Sequence, residues 1–463
     1  MRRFKNHFIR ILDTMNTHEI DMTTGSLWKK ILFFSIPLMF SNLLQVFFNI
    51  ADVAVVGKFA GAIALGSVGS TTIFLTLTTG ILLGMASGVN AVTALFVGSR
   101  DSEKLNKTVH TAILLCLAVG ILLFLCGLFF SRPILTLMNT KPELIDGATL
   151  YLTVYLCGSP ALAIYNYGNA ILSAVGDTKR PLLYLFIAGV INVILNLIFV
   201  LVFDMSVLGV ALSSIISQYI SAFLVLRFLL KSTQDYALHL RDIAFDWGIA
   251  GQILKISIPS ATQYSLFAVA NICIQTSVNQ FDHVVVEGNA AAVNADTLIF
   301  DMMAAFYTAC TSFVAQNFGA GRKDRIWHSF LITTLYSFSV GLILGLSLLI
   351  LQKPFLSLFT SDPNVMKYAS IRITILSLSY CVSAFMDNAT AASRGLGKSV
   401  APALFVIVGV VVLRIIWLFT IFAYFHTLHS LYLAYVTTWA VTAICENVFF
   451  IYHYRRLPDT VQI

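Results

Sequence analysis

The chain has 463 residues, of which 58% are hydrophobic and only 11% charged, and its mean hydropathy is +0.85. That balance excludes a water-soluble domain, because so few charges cannot cover the surface of a chain this long. The net charge of +7 sits in short loops between apolar stretches, so it orients a membrane protein and does not point to nucleic acid.

Residues 1–27 carry basic residues and a weakly amphipathic stretch around Phe4, Phe8, Ile11 and Leu12. No small-residue cleavage site follows an apolar core, so the segment reads as a cytoplasmic N-terminal piece and not a removed signal; Met22 is a workable alternative start. Beyond it, uncharged stretches such as 181–203 and 329–352 reach the roughly 20 residues that a helix needs to cross the hydrocarbon core. A β-barrel would alternate apolar and polar residues, whereas 112–130 is apolar on every face. The expected spans are 28–56, 64–94, 109–130, 148–172, 181–203, 206–228, 249–278, 290–315, 327–350, 368–392, 400–424 and 428–452, twelve in all. Cytoplasmic ends follow from Lys and Arg: of 29, this topology places 21 on the side of both termini, 5 on the other and 3 within spans.

The chain is built as a repeat. Gly98 and Gly319, Pro133 and Pro354, Pro142 and Pro363, and Pro181 and Pro402 each differ by 221, while Ser35-Ile36-Pro37 and Ser257-Ile258-Pro259 differ by 222. Each half holds six helices, and an even number per repeat makes the halves parallel, related by a pseudo-twofold axis along the membrane normal. The expected fold is therefore an all-α polytopic membrane protein of twelve transmembrane helices in two six-helix lobes. Its divisions are an N-terminal segment 1–27, a first lobe 28–230, a cytoplasmic linker 231–248, a second lobe 249–455 and a tail 456–463.

At the first span the segment 22–61, MTTGSLWKKILFFSIPLMFSNLLQVFFNIADVAVVGKFAG, resembles the opening of the multidrug and toxic compound extrusion (MATE) family. The run Gly176-Asp177-Thr178-Lys179-Arg180-Pro181 resembles the family's loop between helices four and five, and Asn192-Val193-Ile194-Leu195-Asn196 its helix-five motif. Gly319-Ala320-Gly321-Arg322 and Arg394-Gly395-Leu396-Gly397-Lys398 sit where it places similar loops. The resemblance spans about Met22 to Arg456. It implies a secondary antiporter of the cell membrane that exports organic, often cationic, compounds by alternating access between two lobes, driven by H⁺ or Na⁺.

A charge at mid-membrane depth costs at least about 2.5–3.5 kcal/mol, so it persists only with a partner, a wet cavity or a task. The candidates are Asp52, Asp296, Asp301, Asp387, Glu446, Lys255, Arg372 and Arg414. Asp52 lies deep in the first span, where desolvation favours its protonated form, and the family resemblance assigns a coupling carboxylate to this position. Asn192 and Asn196, four apart, share its expected surroundings, and Ser214 matches a family hydroxyl position. These four form the expected cation-coupling group. The bland readings are an Asp that caps the helix end near Gly57 and amides that bond between helices. Many relatives carry an acid where this chain has Asn196, which favours H⁺ over Na⁺.

In the second half Asp296, Asp301 and Asp387 are expected to attract a cationic substrate. Asp387 could instead pair with Arg414. Glu446 is expected to form a structural ion pair with Arg414 or Arg372, and Lys255 to reach its ammonium to the membrane edge. The seven cysteines lie in apolar segments without metal-ligand spacing, and His pairs, GxxxxGK[ST] and GxSxG are absent, so no cofactor, metal site or enzyme is expected. The expected partners are a small organic substrate and the lipid bilayer, with the protein monomeric. Two readings compete on the same fold: a flippase of lipid-linked intermediates, which would have more spans and a basic cavity, and a solute importer.

Overall fold

The computed structural model describes residues 19–458; the amphipathic stretch around Phe4 to Leu12 and the last residues of the tail lie outside them. Among the described residues twelve helices, each broken helix counted once, cross the bundle. The first lobe holds α1 (Leu27–Val55), α2 (Gly61–Ser99), α3 (Ser102–Leu137), α4 (Pro142–Leu156 continued by Ser159–Ala174), α5 (Lys179–Val202) and α6 (Ser206–Lys231). The second holds α7 (Trp247–Val278), α8 (His283–Gly319), α9 (Lys323–Ile350), α10 (Pro363–Gly395), α11 (Val400–Phe425) and α12 (Leu428–Arg455).

The breaks fall where the sequence stops supporting a helix. Helical bonding continues without a loop through α1 and α2, 73 residues in all, which as one straight rod at 1.5 Å each would span about 110 Å. Gly61, at φ 88°, turns the chain instead. Asp101 accepts from Lys104 N–H to start α3, Asp246 from Ile249 N–H to start α7, and Asp362 from Asn364 N–H, ahead of Pro363, to start α10. Thr427 and Ser430 cap each other at the head of α12. At Gly158-Ser159-Pro160 the two pieces of α4 meet at 45°. Widened turns closed by i→i+5 bonds follow α1 at Val56–Ala60, end α5 at Ile198–Val202 and interrupt α11 at Ile407–Val412 and Leu418–Phe422. Such turns recur at functional sites.

The repeat is visible in the backbone. Gly176 at φ 94° and Gly397 at φ 72° are 221 apart, as are Arg100 at φ 56° and Gly321 at φ 68°. The lobes also meet symmetrically: Gly98 packs on the backbone of Gln316, and Gly319 on that of Leu95. Leu95 and Gln316 are again 221 apart, so the operation that exchanges the lobes exchanges these two contacts, as in an isologous interface. The axis passes between α2 and α8 here. Only glycine fits, because a Cβ at either position would overlap main chain that cannot turn aside.

The rest of the lobe interface lies in the same half of the bundle, at the end that carries residues 19 and 458. Gly80, Gly84 and Gly88 of α2 face Tyr264, Ala261 and Ser257 of α7. Phe34 of α1 meets Phe313 of α8 edge-on at 5.5 Å, and Asn42 Nδ2 donates to the Asp301 carbonyl at 2.7 Å. Past Asn42 and Gly80 toward the opposite end, no hydrogen bond, ion pair or ring contact among the described residues joins the lobes. The bundle is a V closed at one end.

A strap reinforces the closed end. Met22, fully buried, packs with Phe34 and with Phe306 and Phe313 of the second lobe. Its N–H donates to Gln316 Oε1 and its carbonyl accepts from Asn317 Nδ2 and Arg325 Nη2. Ile20 N–H reaches the Gly176 carbonyl, and Tyr236 of the linker donates to Glu19 at 2.6 Å. The residues ahead of α1 thus touch both lobes and the linker.

Candidate functional site

Asp52 lies on α1 just before the widened turn Val56–Ala60, half-buried in the wall of the first lobe. Its carboxylate does not cap the helix end. It turns to α5, where fully buried Asn196 donates Nδ2 to Asp52 Oδ1 and, at 3.3 Å, to Asn192 Oδ1. Asn196 Oδ1 accepts from the Ser213 hydroxyl, and the Ser214 hydroxyl bonds to the Asp52 carboxylate. Tyr151 and Tyr155 of α4, with ring centres 5.8 Å apart, close the back of the cluster. The four residues expected to share a site are therefore together. The widened turn Ile198–Val202 begins two residues after Asn196 and closes α5 just past the point where its amides face α1.

Ser213, Tyr151 and Tyr155 were not singled out from sequence. Tyr151 and Tyr155 are spaced by four, one helix face, and that signal was available; nothing in the run Ser213-Ser214 says which hydroxyl meets the amide. The cluster contains one ionisable group among neutral donors and acceptors. It can take up and release a single proton, or offer a small cation one charged oxygen and several neutral ones.

The second-lobe acids separate into three environments. Asp296, buried, receives Arg372 Nε at 2.8 Å and Nη2 at 2.6 Å, while Arg372 Nη1 donates to Asn289 Oδ1 at 2.7 Å and Tyr432 OH donates to the same oxygen at 3.1 Å. Asp296, one of the three acids expected to attract a cationic substrate, is already paired with Arg372 inside the lobe. Asp301, five residues on, falls on a different face of α8 and stays half-buried beside Asn42 of the first lobe. Asp387 is half-buried beside Tyr307 and Arg394, and its Oδ2 makes no hydrogen bond among the described residues.

The expected pair of Glu446 with Arg414 or Arg372 is not formed. Glu446, fully buried, lies near Arg394, Thr390 and Asp387. Arg372 is held by Asp296, and Arg414 contacts Asn271, Thr438 and the ring of Tyr435. Depth explains the difference: Glu446 is nine residues from the end of α12 and Arg414 fourteen from the start of α11, so at 1.5 Å per residue they stand about 8 Å apart along the normal. Lys255 is exposed near the start of α7, as expected.

The comparisons with known proteins agree with this architecture. The MatE family model matches residues 37–198 and again 259–420, one copy per lobe. The chain is 29% identical over 355 residues to the probable multidrug resistance protein YpnP of Bacillus subtilis, covering 75% of this chain and 78% of that one. It is 22% identical to the probable multidrug resistance protein NorM of Thermotoga maritima, over 82% and 83% of the two chains. A relative described as an FAD transporter, from Shewanella oneidensis, is 23% identical over 75% and 77%. Among solved structures, a MATE protein in complex with MaL6 superposes with a TM-score of 0.89 at 20% identity, over 95% of this chain and 99% of that one. A MOP superfamily transporter from Pyrococcus furiosus, whose binding pocket is described as reversed in polarity, gives 0.89 at 21% over 95% and 98%. With both halves matched by the family model over most of their length, the chain belongs to the multidrug and toxic compound extrusion family of transporters.

Proposed function

We propose that this protein is an antiporter of the cell membrane that exports organic compounds in exchange for protons, with Asp52 as the coupling group. The observation that carries the reading is the first-lobe cluster, a single intramembrane carboxylate held by Asn196 and Ser214 in the wall of a V-shaped bundle. A carboxylate kept at that depth without a cationic partner calls for a task. Export of drugs enters from the relatives named for multidrug resistance, which include a Staphylococcus aureus multidrug export protein 21% identical over 414 residues.

Coupling follows from differential binding. A proton biases one conformation only if the two differ in their affinity for it. Neutralising Asp52 removes the charge that Asn196 and Ser214 solvate and lets α1 repack against α5, which changes the wall facing the gap between lobes. The lobes then rock about the glycine crossing of α2 and α8, with the boundaries near 28–230, 231–248 and 249–455. The distribution of Lys and Arg puts the closed end, the linker and both termini in the cytoplasm, so the gap opens outward. With Asn196 supplying an amide where a second carboxylate would strengthen a Na⁺ site, the proton is the preferred ion. Purified protein in liposomes tests this: an imposed pH gradient should drive accumulation of an organic dye, and an imposed Na⁺ gradient alone should not. Dye movement that follows Na⁺ and ignores pH would overturn the choice of ion.

A further inference from the structure

The second lobe holds a buried cation that the coupling cluster does not use. Arg414 is 1% exposed, its Nε has no hydrogen-bond partner among the described residues, and its two side-chain bonds are long, 3.4 Å to Asn271 Oδ1 and 3.5 Å to Thr438 Oγ1. Among the described residues no acid bonds to it; Arg372 repels it, and the neutral phenols of Tyr435 and Tyr380 lie beside it. Asp296 is already taken by Arg372. What holds Arg414 is the face of the Tyr435 ring, 4.2 Å from the guanidinium carbon.

Three features aim this cation at the gap between the lobes. Asn271, which accepts from Arg414, is exposed. It lies seven and fourteen residues after Tyr264 and Ser257, on the face of α7 that meets α2 lower in the bundle. The α-helical turn Leu413–Trp417 that carries Arg414 is set between the two widened turns of α11, each of which resets the face that the following residues present. Finally, past the widened turn Ile407–Val412, where the 221-residue repeat gains one residue, Arg414 and Tyr435 stand 222 residues after Asn192 and Ser213, the offset between the ends of the two family-model matches. Arg414 thus takes in the second lobe the place that Asn192, a member of the Asp52 cluster, has in the first.

We infer that Arg414, Tyr435 and Asn271 form a site for the anionic group, a carboxylate or phosphate, of an organic substrate. A guanidinium with an unpartnered Nε–H and two long bonds has donors to offer, and its planar fork matches such an anion in bidentate fashion. Asn271 is the exchangeable partner: a carboxylate entering from the gap displaces its carbonyl and takes the Arg414 N–H groups, while Tyr435 keeps the guanidinium in plane. The inference deepens the export reading by naming a substrate class, and it rests on that reading only for the direction of movement.

The test is equilibrium binding of carboxyfluorescein, an organic anion, and of ethidium, an organic cation, to purified protein in nanodiscs of neutral lipid. Arg414→Gln should weaken carboxyfluorescein by about tenfold or more, the worth of a charge-assisted contact, and leave ethidium unchanged. Arg414→Lys should retain part of the affinity. Asn271→Ala, which leaves the buried cation in place, should alter carboxyfluorescein binding alone and covers the case in which Arg414→Gln does not fold. Failure of the parent to bind carboxyfluorescein, or equal binding by parent and all three variants, would overturn the inference. So would loss of carboxyfluorescein binding in nanodiscs doped with phosphatidylglycerol, which would make this a lipid headgroup site. Gradient-driven dye accumulation reports separately on export: its absence with binding intact would sink the export reading and leave the anion site standing.

Discussion

Replacing Gly98 with alanine tests the closed end of the V directly. An added Cβ would meet the carbonyl carbon and Cα of Gln316 at 2.6 and 2.7 Å, and the Gln316 carbonyl oxygen closer still. Carbon atoms in contact stand at about 3.5–4.0 Å, so α2 and α8 must part here by roughly 1 Å. The obstacle is main chain, so no rotamer relieves it, and overpacking of this kind costs about 1–3 kcal/mol. Alanine also favours the helix, but that gain is common to both conformations and cancels between them. The closed-end state therefore loses about 1–3 kcal/mol relative to its alternative, a shift of roughly 5- to 150-fold in their ratio. Spin labels at the opposite ends of α2 and α7 read the distance across the mouth of the V, and Gly98→Ala should move the population toward shorter distances. Gly319→Ala, the symmetry-related change, should act in the same direction. A folded Gly98→Ala protein with the parent's distance distribution would refute the claim that this crossing holds the lobes together.

Three further outcomes are expected. Asp296→Asn leaves the Arg372 guanidinium buried without its carboxylate, which should cost about 3–5 kcal/mol; thermal unfolding would show it, Asp296→Leu with Arg372→Met should recover much of it, and unchanged melting of the single variant would contradict the buried-pair reading. Arg325→Gln removes donors to the carbonyls of Met22, Thr24 and Gly25, so the strap at 19–26 should be cut faster by added protease; equal rates would show that Met22 packing alone holds it. Burial opposes ionisation of Asp21, yet bonds from Thr23 and Thr24 and the charge of Lys30 hold its carboxyl down to about 2. A carboxylate lowered below its unfolded value stabilises above that value and loses this as pH falls through about 2, so strap cleavage should not change between pH 7 and 5.

The architecture was legible because its determinants are local or periodic. Twelve spans follow from hydropathy and charge placement, and the 221-residue repeat, read from a few glycines and prolines, reappears in the left-handed residues at 100, 176, 321 and 397. The first-lobe group was legible because Asn192 and Asn196 share one face and Asp52 is the single acid of its span. The ion pairs of the second lobe were not. Asp296, Asp387 and Glu446 offered several arginines on other helices, and partner choice depends on helix rotation and depth, which sequence spacing within one helix does not encode. The widened turns in α11 shift both, and nothing in their Val, Ile and Leu runs announces them.

The central claim, that Asp52 couples transport to the ion gradient, rests on one substitution. Asp52→Asn keeps the size of the side chain and a carbonyl for Ser214 to bond, but it cannot ionise. In liposomes with an imposed pH gradient the folded variant should bind dye as the parent does and lose gradient-driven accumulation, while Asp387→Asn should lose less and Asn196→Asp should shift the dependence toward Na⁺. Undiminished pH-driven accumulation by folded Asp52→Asn protein would contradict the account and move the coupling to Asp387 and Glu446 of the second lobe.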